Sequence, residues 1–207
     1  MRILVLCDDR WHPASTPQGG LEPLADEFTF DFIENAEEWS AERMAAYPLV
    51  LLTKSNDTTA TDHRPWMSDA AQQAFLDYVR AGSGLLVIHS GSASYADKPV
   101  LRALLGGVFT HHPPQCQVTI EPHANHPLTA GSEAFIIKDE HYFMDLDDQQ
   151  ADVFLTTTSE HGTQPGGWMR SESEGRVCML TPGHNVEVWL HPSYQTLIRN
   201  ALRWCGK

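Results

Sequence analysis

Eleven histidines stand against fourteen Lys plus Arg, so imidazole is a large share of the polar chemistry this chain can offer. Two of them sit at sharp turns. In Gly82-Ser83-Gly84-Leu85-Leu86-Val87-Ile88-His89-Ser90-Gly91 an unbroken apolar run ends abruptly at His89, and the apolar run Arg176 to Thr181 leads into Pro182-Gly183-His184. Short continuous apolar runs bounded by Gly read as strands buried on both faces of a parallel sheet. Ligands of open α/β sheets bind outside the carboxyl ends of such strands. His89 and His184 fall at those ends. Between them lie His111-His112-Pro113, His123-Ala124-Asn125-His126-Pro127 and Asp139-Glu140-His141-Tyr142, where His beside Pro or Gly suits a site carried on loops.

Three chemistries are open to these residues. Imidazole and carboxylate donors suit one divalent Zn, Mn, Fe or Ni ion, and three protein ligands with an open position make a catalytic centre. The ligands would come from separate loops, and H-E-x-x-H is absent. Nucleophilic catalysis needs Ser or Cys on the turn after a strand. Ser90 is there, but Ile88 breaks G-x-S-x-G and no cysteine occupies the turn. General acid/base catalysis has more support, because Asp139-Glu140 follows the apolar segment Phe135-Ile136-Ile137 and a carboxylate held there can have a raised pKa, with Glu140 the functional candidate. Asp145, Asp147 and Asp148 read as acidic surface. Trp11, Trp168 and Trp189, near Gly, Pro or His, are candidates for stacking on a sugar, whereas Trp39, Trp66 and Trp204 read as packing.

The elements that must carry these groups follow from apolar periodicity. Ile3 to Cys7, Phe28 to Ile33, Leu49 to Thr53 and the run ending at His89 are four strands. Trp39 to Ala46, starting near the cap Ser40, and Ser68 to Ala81, stopped by Gly82, are helices between them. Arg10 to Gly20 reads as a loop, with a short helix from Leu21, and Lys54 to Pro65 is a polar loop. This alternation is the pattern of a doubly wound parallel sheet. The order then becomes less regular: a short helix Pro99 to Leu105, strand segments Gln117 to Glu121, Ala134 to Ile137, Asp152 to Thr157 and Arg176 to Thr181, and a closing helix Tyr194 to Trp204. No repeat or linker divides the chain, which reads as one domain over residues 1–207.

Bulk properties narrow the partners. A 42% hydrophobic and 20% charged composition is ordinary for a soluble globular protein, and the net charge of −13 disfavours nucleic acid and anionic membrane surfaces. Cys7, Cys116, Cys178 and Cys205 form no C-x-x-C pair. Cys7 and Cys178 look like core residues, and a reducing cytoplasm fits. The apolar segment after Met1 is too short for a signal peptide, and no run reaches the length of a membrane span. No nucleotide cofactor is expected. Pairing as a homo-oligomer through the second half stays open without residue evidence.

Taken in order, Ala81 to Ser90, Leu105-Gly106-Gly107-Val108-Phe109 with His112-Pro113, His126-Pro127-Leu128-Thr129, Asp139-Glu140-His141-Tyr142, Trp168 with Arg170, Gly175-Arg176-Val177, Gly183-His184, Trp189 and Trp204 resemble the ThuA-like proteins. That family is named for trehalose utilisation and has a class I glutamine-amidotransferase-like fold. The resemblance implies an α/β, flavodoxin-like three-layer αβα sandwich with a mainly parallel central sheet. It also implies that amidotransferase chemistry is lost, because His89-Ser90 stands where that wider group has its cysteine. By the same likeness His184 takes the place of the group's catalytic histidine, with Glu187 as a degenerate partner. Carbohydrate metabolism follows as an association, since fold does not fix function.

The combined expectation is a small-molecule carbohydrate enzyme, a lyase, hydrolase or isomerase acting on a disaccharide or keto-sugar. His89, Glu140 and His184 are its catalytic groups, and Asp139 orients a partner. Ser90, His112, Trp11, Trp168 and Trp189 contact substrate, and His89, His112, Glu140 and His184 hold any metal. A sugar-binding or regulatory module without turnover, and a Ser90 hydrolase, are the competing readings.

Overall fold

In the computed structural model, which describes residues 1–149 and 151–206, the apolar runs form the centre of a nine-stranded sheet. The chain runs β1 (Arg2–Leu6), α1 (Ser15–Leu21), β2 (Thr29–Ile33), α2 (Ala41–Ala45), β3 (Leu49–Leu52), α3 (Asp69–Arg80), β4 (Gly84–Ile88) and α4 (Pro99–Leu105). It continues through β5 (Gly107–His111), β6 (Cys116–Pro122), β7 (Phe135–Asp139), β8 (Phe143–Leu146), β9 (Asp152–Ser159), β10 (Gly162–Glu172), β11 (Gly175–Leu180), α5 (Val186–Leu190) and α6 (Pro192–Cys205). The sheet order is β2-β1-β3-β4-β11-β10-β9-β6-β7, and β5 pairs separately with β8.

The two halves of the sheet differ. From β2 to β11 all neighbours are parallel, and from β11 to β7 all are antiparallel. Successive residues of the parallel strands feed opposite cores. Ile3, Val5, Leu49, Leu51, Leu86, Ile88, Cys178 and Leu180 pack with Leu21, Val188, Trp189, Leu197 and Ile198 of α1, α5 and α6. Leu4, Leu6, Val50, Leu52, Leu85, Val87, Val177 and Met179 pack with Met44, Phe75, Val79, Leu101 and Leu104 of α2, α3 and α4. Burial on both faces explains why these strands read as unbroken apolar runs. The result is the three-layer αβα sandwich. No helix among the described residues is long and apolar enough to cross a membrane.

Local signals account for most boundaries. Ser40 Oγ accepts from Arg43 N at 3.1 Å and Ser68 Oγ from Ala71 N at 3.2 Å, so both caps are used. Gly106, at φ 79°, ends α4 in the left-handed conformation. Two expectations change. The stretch Arg10 to Gly20 is not all loop, because Ser15–Leu21 is helical. Gly20 packs so tightly on α5 that a Cβ would lie 2.4 Å from Trp189 Cβ, so glycine here serves helix packing. β10 was also unforeseen: Pro165-Gly166-Gly167 reads as a turn but lies inside the strand, at a register shift against β9.

The turn after β4 is the tightest point of the site scaffold. His89 takes φ 48° and starts a 3₁₀ turn, His89–Ser92. A Cβ on Gly91 would lie 2.1 Å from the Leu52 carbonyl oxygen and 2.8 Å from Val87 Cγ1. Gly91→Ala is expected to lower the unfolding free energy by about 1–3 kcal/mol through overpacking, measured by urea denaturation. An unchanged midpoint would show that the turn can relax.

Candidate functional site

Four chain segments deliver the site at the carboxyl ends of the strands. After β1, Asp9 builds a short loop around its own carboxylate. Its Oδ1 accepts from Trp11 N (3.0 Å), His12 N (3.1 Å) and His12 Nδ1 (2.7 Å), and its Oδ2 accepts from Ser55 N at 2.9 Å. Burial would raise this carboxyl, but the His12 ring and the backbone N–H donors outweigh it and hold it at about 2. After β4, His89 Nδ1 donates to the Thr181 carbonyl at 2.8 Å, and its ring stacks on Tyr142 with centroids 3.9 Å apart. A carbonyl can only accept, so the proton is on Nδ1 and the lone pair on Nε2. Burial pushes His89 down to about 4, which keeps this ring neutral.

Asp139 ends β7, Glu140 follows it, and the two divide the work between them. Asp139 is fully buried and accepts from Gly183 N (2.8 Å) and His184 N (3.0 Å), tying β7 to the turn after β11. Burial pushes its carboxyl up to about 6 against the pull of these N–H donors. Glu140 Oε2 faces the site, 3.1 Å from His184 Nδ1, 3.4 Å from His89 Nε2 and 3.6 Å from His112 Nε2. The raised carboxyl expected at this strand end is therefore Asp139 and not Glu140: burial would raise Glu140 too, but the His184 and His89 rings prevail and hold it well below the usual carboxylate range. In return Glu140 raises His184 above its ordinary value.

One donor atom from each of His12, His89, Glu140 and His184 lies within 4.8 Å of the others. His12 Nε2, His89 Nε2 and His184 Nδ1 are buried and lack a partner in hydrogen-bonding geometry among the described residues, despite the short approaches to Glu140. Desolvated ring nitrogens converging on one carboxylate are costly unless a cation or polar ligand joins them. The donor set, three imidazole nitrogens and one carboxylate oxygen, fits a divalent Zn, Mn, Fe or Ni ion. A cavity of about 320 Å³ opens over it, lined by Trp11, His12, His112, Glu140 and His184. A larger depression of about 540 Å³ around His123 to Ser132 lacks this chemistry, because His123 and His126 there face Thr156 and Asp152.

The residues singled out from sequence separate into distinct places. His89, Glu140 and His184 meet in the cluster, and His112 stands on the cavity wall. His112 lies outside the four-donor group, whose fourth member is His12. The signal for His12 was present: it follows the polar carboxyl end of the first strand, as His89 follows the fourth. Trp11 is 65% exposed on the cavity lining. The placement of Trp168 and Trp189 on substrate needs correction, since both are fully buried and donate through Nε1 to the Leu105 and Gly183 carbonyls. Ser90 is 0% exposed, because the strained elbow position belongs to His89. Ser90 therefore offers substrate neither a contact nor a nucleophile. Asp139 is a positioning residue whose oxygens are taken by backbone, not a group open to substrate. Glu187 is exposed on α5, and the carboxylate beside His184 is that of Glu140.

Asp139→Asn leaves one amide oxygen for two backbone N–H donors and turns an NH₂ toward the other. A loss of about 1–3 kcal/mol in urea unfolding is expected, with the turn bearing His184 displaced in a crystal structure. An undisturbed turn at full stability would remove Asp139 from this role.

The fold has recognisable relatives. A ThuA-like protein of Parabacteroides merdae superposes with a TM-score of 0.79 at 16% identity, covering 100% of this chain and 90% of that one. A ThuA-like protein of Bacteroides uniformis gives 0.77 at 20% identity, covering 99% and 91%. A Salmonella typhimurium protein described as cytoplasmic gives 0.72 at 15% identity, covering 99% of both chains. At these identities the likeness shows the fold. Among curated proteins none matches the sequence. The family model ThuA, described as trehalose utilisation, matches residues 2–205. The chain belongs to the ThuA family.

Proposed function

We propose that this protein is an enzyme of carbohydrate utilisation that acts on a disaccharide or keto-sugar derivative by metal-assisted His/Glu acid-base chemistry. The observation that carries the reading is the set of three buried imidazole nitrogens facing the Glu140 carboxylate beneath a cavity. The family description supports the carbohydrate context, and the exposed Trp11 indole on the cavity lining supports it chemically, since aromatic faces pack against the apolar faces of sugar rings. His12, His89, Glu140 and His184 would hold the ion. When bound, a divalent ion supplies a Lewis acid for a carbonyl or hydroxyl oxygen.

The remaining steps fall to side chains. His112 Nδ1 donates to the Pro113 carbonyl at 2.8 Å, so when the ring is neutral its lone pair is on Nε2, the nitrogen nearer Glu140. At that atom a proton can be taken from, or returned to, a substrate carbon or oxygen. Trp11 orients the sugar ring. Glutamine amidotransfer is not part of this reading, because the elbow carries an imidazole where a thiol would be required.

The deciding experiment is elemental analysis of protein purified without chelator, followed by a turnover screen of disaccharides and their keto derivatives. About one equivalent of divalent metal, lost in His89→Ala/His184→Ala together with turnover, is the expected result. Uptake is expected to weaken as pH falls, because protons compete for the ligand imidazoles. His112→Gln is expected to keep the metal while kcat falls by about 10²–10⁴-fold. Absence of metal after soaking overturns the metal-assisted part. Sugar binding without turnover makes the protein a binding module.

A further inference from the structure

Of the three imidazoles at the site, only His12 is backed by an anion. His89 leans on a neutral carbonyl, that of Thr181, whereas His12 Nδ1 meets the Asp9 carboxylate at 2.7 Å. An ionised carboxylate has acceptors only, so this contact requires the imidazole proton to be on Nδ1. The lone pair of the neutral ring is then on Nε2, the buried nitrogen without a hydrogen-bonding partner. Such backing fixes both tautomer and ring orientation and makes the outer nitrogen a stronger donor.

Asp9 is itself held in place from several directions. Trp11 N and His12 N donate to Oδ1 and Ser55 N to Oδ2, so the carboxylate joins the loop after β1 to the loop after β3. Beneath it, Lys54 is 1% exposed and donates through Nζ to the carbonyls of Cys7, Asp8 and Glu34. A buried cation thus pins the carboxyl ends of β1 and β2 and offsets the charge of Asp9. The His12 ring in turn stands edge-on to His89 and His184, with centroids 4.9 Å away in each case.

We propose that Asp9 is a positioning residue that holds His12 in the Nδ1–H tautomer and thereby makes it the strongest nitrogen donor of the site. The site is then built before any ligand arrives: Asp9 sets His12, Thr181 sets His89, and Lys54 braces the loop that carries Asp9. The affinity part of this proposal rests on the metal reading above, and the tautomer part does not.

The test uses the full chain in two measurements. The first is ¹⁵N NMR of histidine-labelled, metal-free protein at about pH 8.5, well above the ordinary value of a free imidazole, with the His12 signals assigned through His12→Gln. Wild-type protein is expected to show a protonated Nδ1 and a bare Nε2 at His12, with Asp9→Asn populating the other tautomer. The second is zinc affinity by competition with a chromophoric chelator. Asp9→Asn is expected to bind about 10–100-fold more weakly at unchanged stoichiometry. A wild-type His12 protonated on Nε2 overturns the proposal and needs no variant to show it. So does a folded Asp9→Asn that binds zinc as tightly as wild type. If wild-type protein takes no zinc, the metal reading fails, and the tautomer measurement still decides the role of Asp9.

Discussion

The Glu140 carboxylate, with imidazole nitrogens of His184, His89 and His112 all within 3.6 Å of one oxygen, is the constraint that organises this molecule. Desolvated nitrogens and a desolvated carboxylate do not stay together unless rigid backbone keeps them there. Two unusual features of the scaffold serve that end. His89 is held at φ 48° by a turn that leaves no room for a side chain at position 91. The turn before His184 is tied by two of its own N–H groups to Asp139. Strain and buried charge are concentrated where these strands end and are supported by two apolar cores.

The reversal of strand direction at β11 explains how the carboxylate reaches the histidines. A parallel sheet alone would place strand-end loops side by side, as it does for the loops after β1, β3, β4 and β11. Glu140 comes from β7, the far edge of the antiparallel half, yet its neighbour Asp139 bonds to the loop after β11. The antiparallel half must curl for its edge to return to that loop. The register shift at Pro165 to Trp168 in β10 lies at the start of that path, beside β11, and shifts of this kind raise local twist and bend a strand.

Legibility in the sequence followed the same division. β1, β3, β4 and β11 are buried on both faces and so appear as apolar runs, and two of their ends gave His89 and His184 directly. Glu140 was legible because it closes an apolar segment. β10 was hidden by Pro165-Gly166-Gly167, a turn signal in local terms that only the tertiary bend makes compatible with a strand. α1 was hidden because Gly19 and Gly20 weaken any helix signal, and the reason for Gly20 is Trp189, far away in sequence. Trp168 and Trp189 carried no mark of burial, since their indole N–H groups are satisfied by distant carbonyls. His12 was passed over because its neighbours at the site, His89, Glu140 and His184, meet it only after the sheet has formed, although Asp9 is close by in sequence.

The curl of the antiparallel half also bears on the order of events in folding. The donors at positions 12, 89, 140 and 184 share no local segment, and the last two come together only when β7 has closed on the loop after β11. Contacts of such separation form late, after the cost of closing long loops has been met by the hydrophobic layers. An early folding species with only the parallel half in place would own three imidazoles and no Glu140. The complete donor set is thereby a property of the finished molecule, not of either half of the sheet alone.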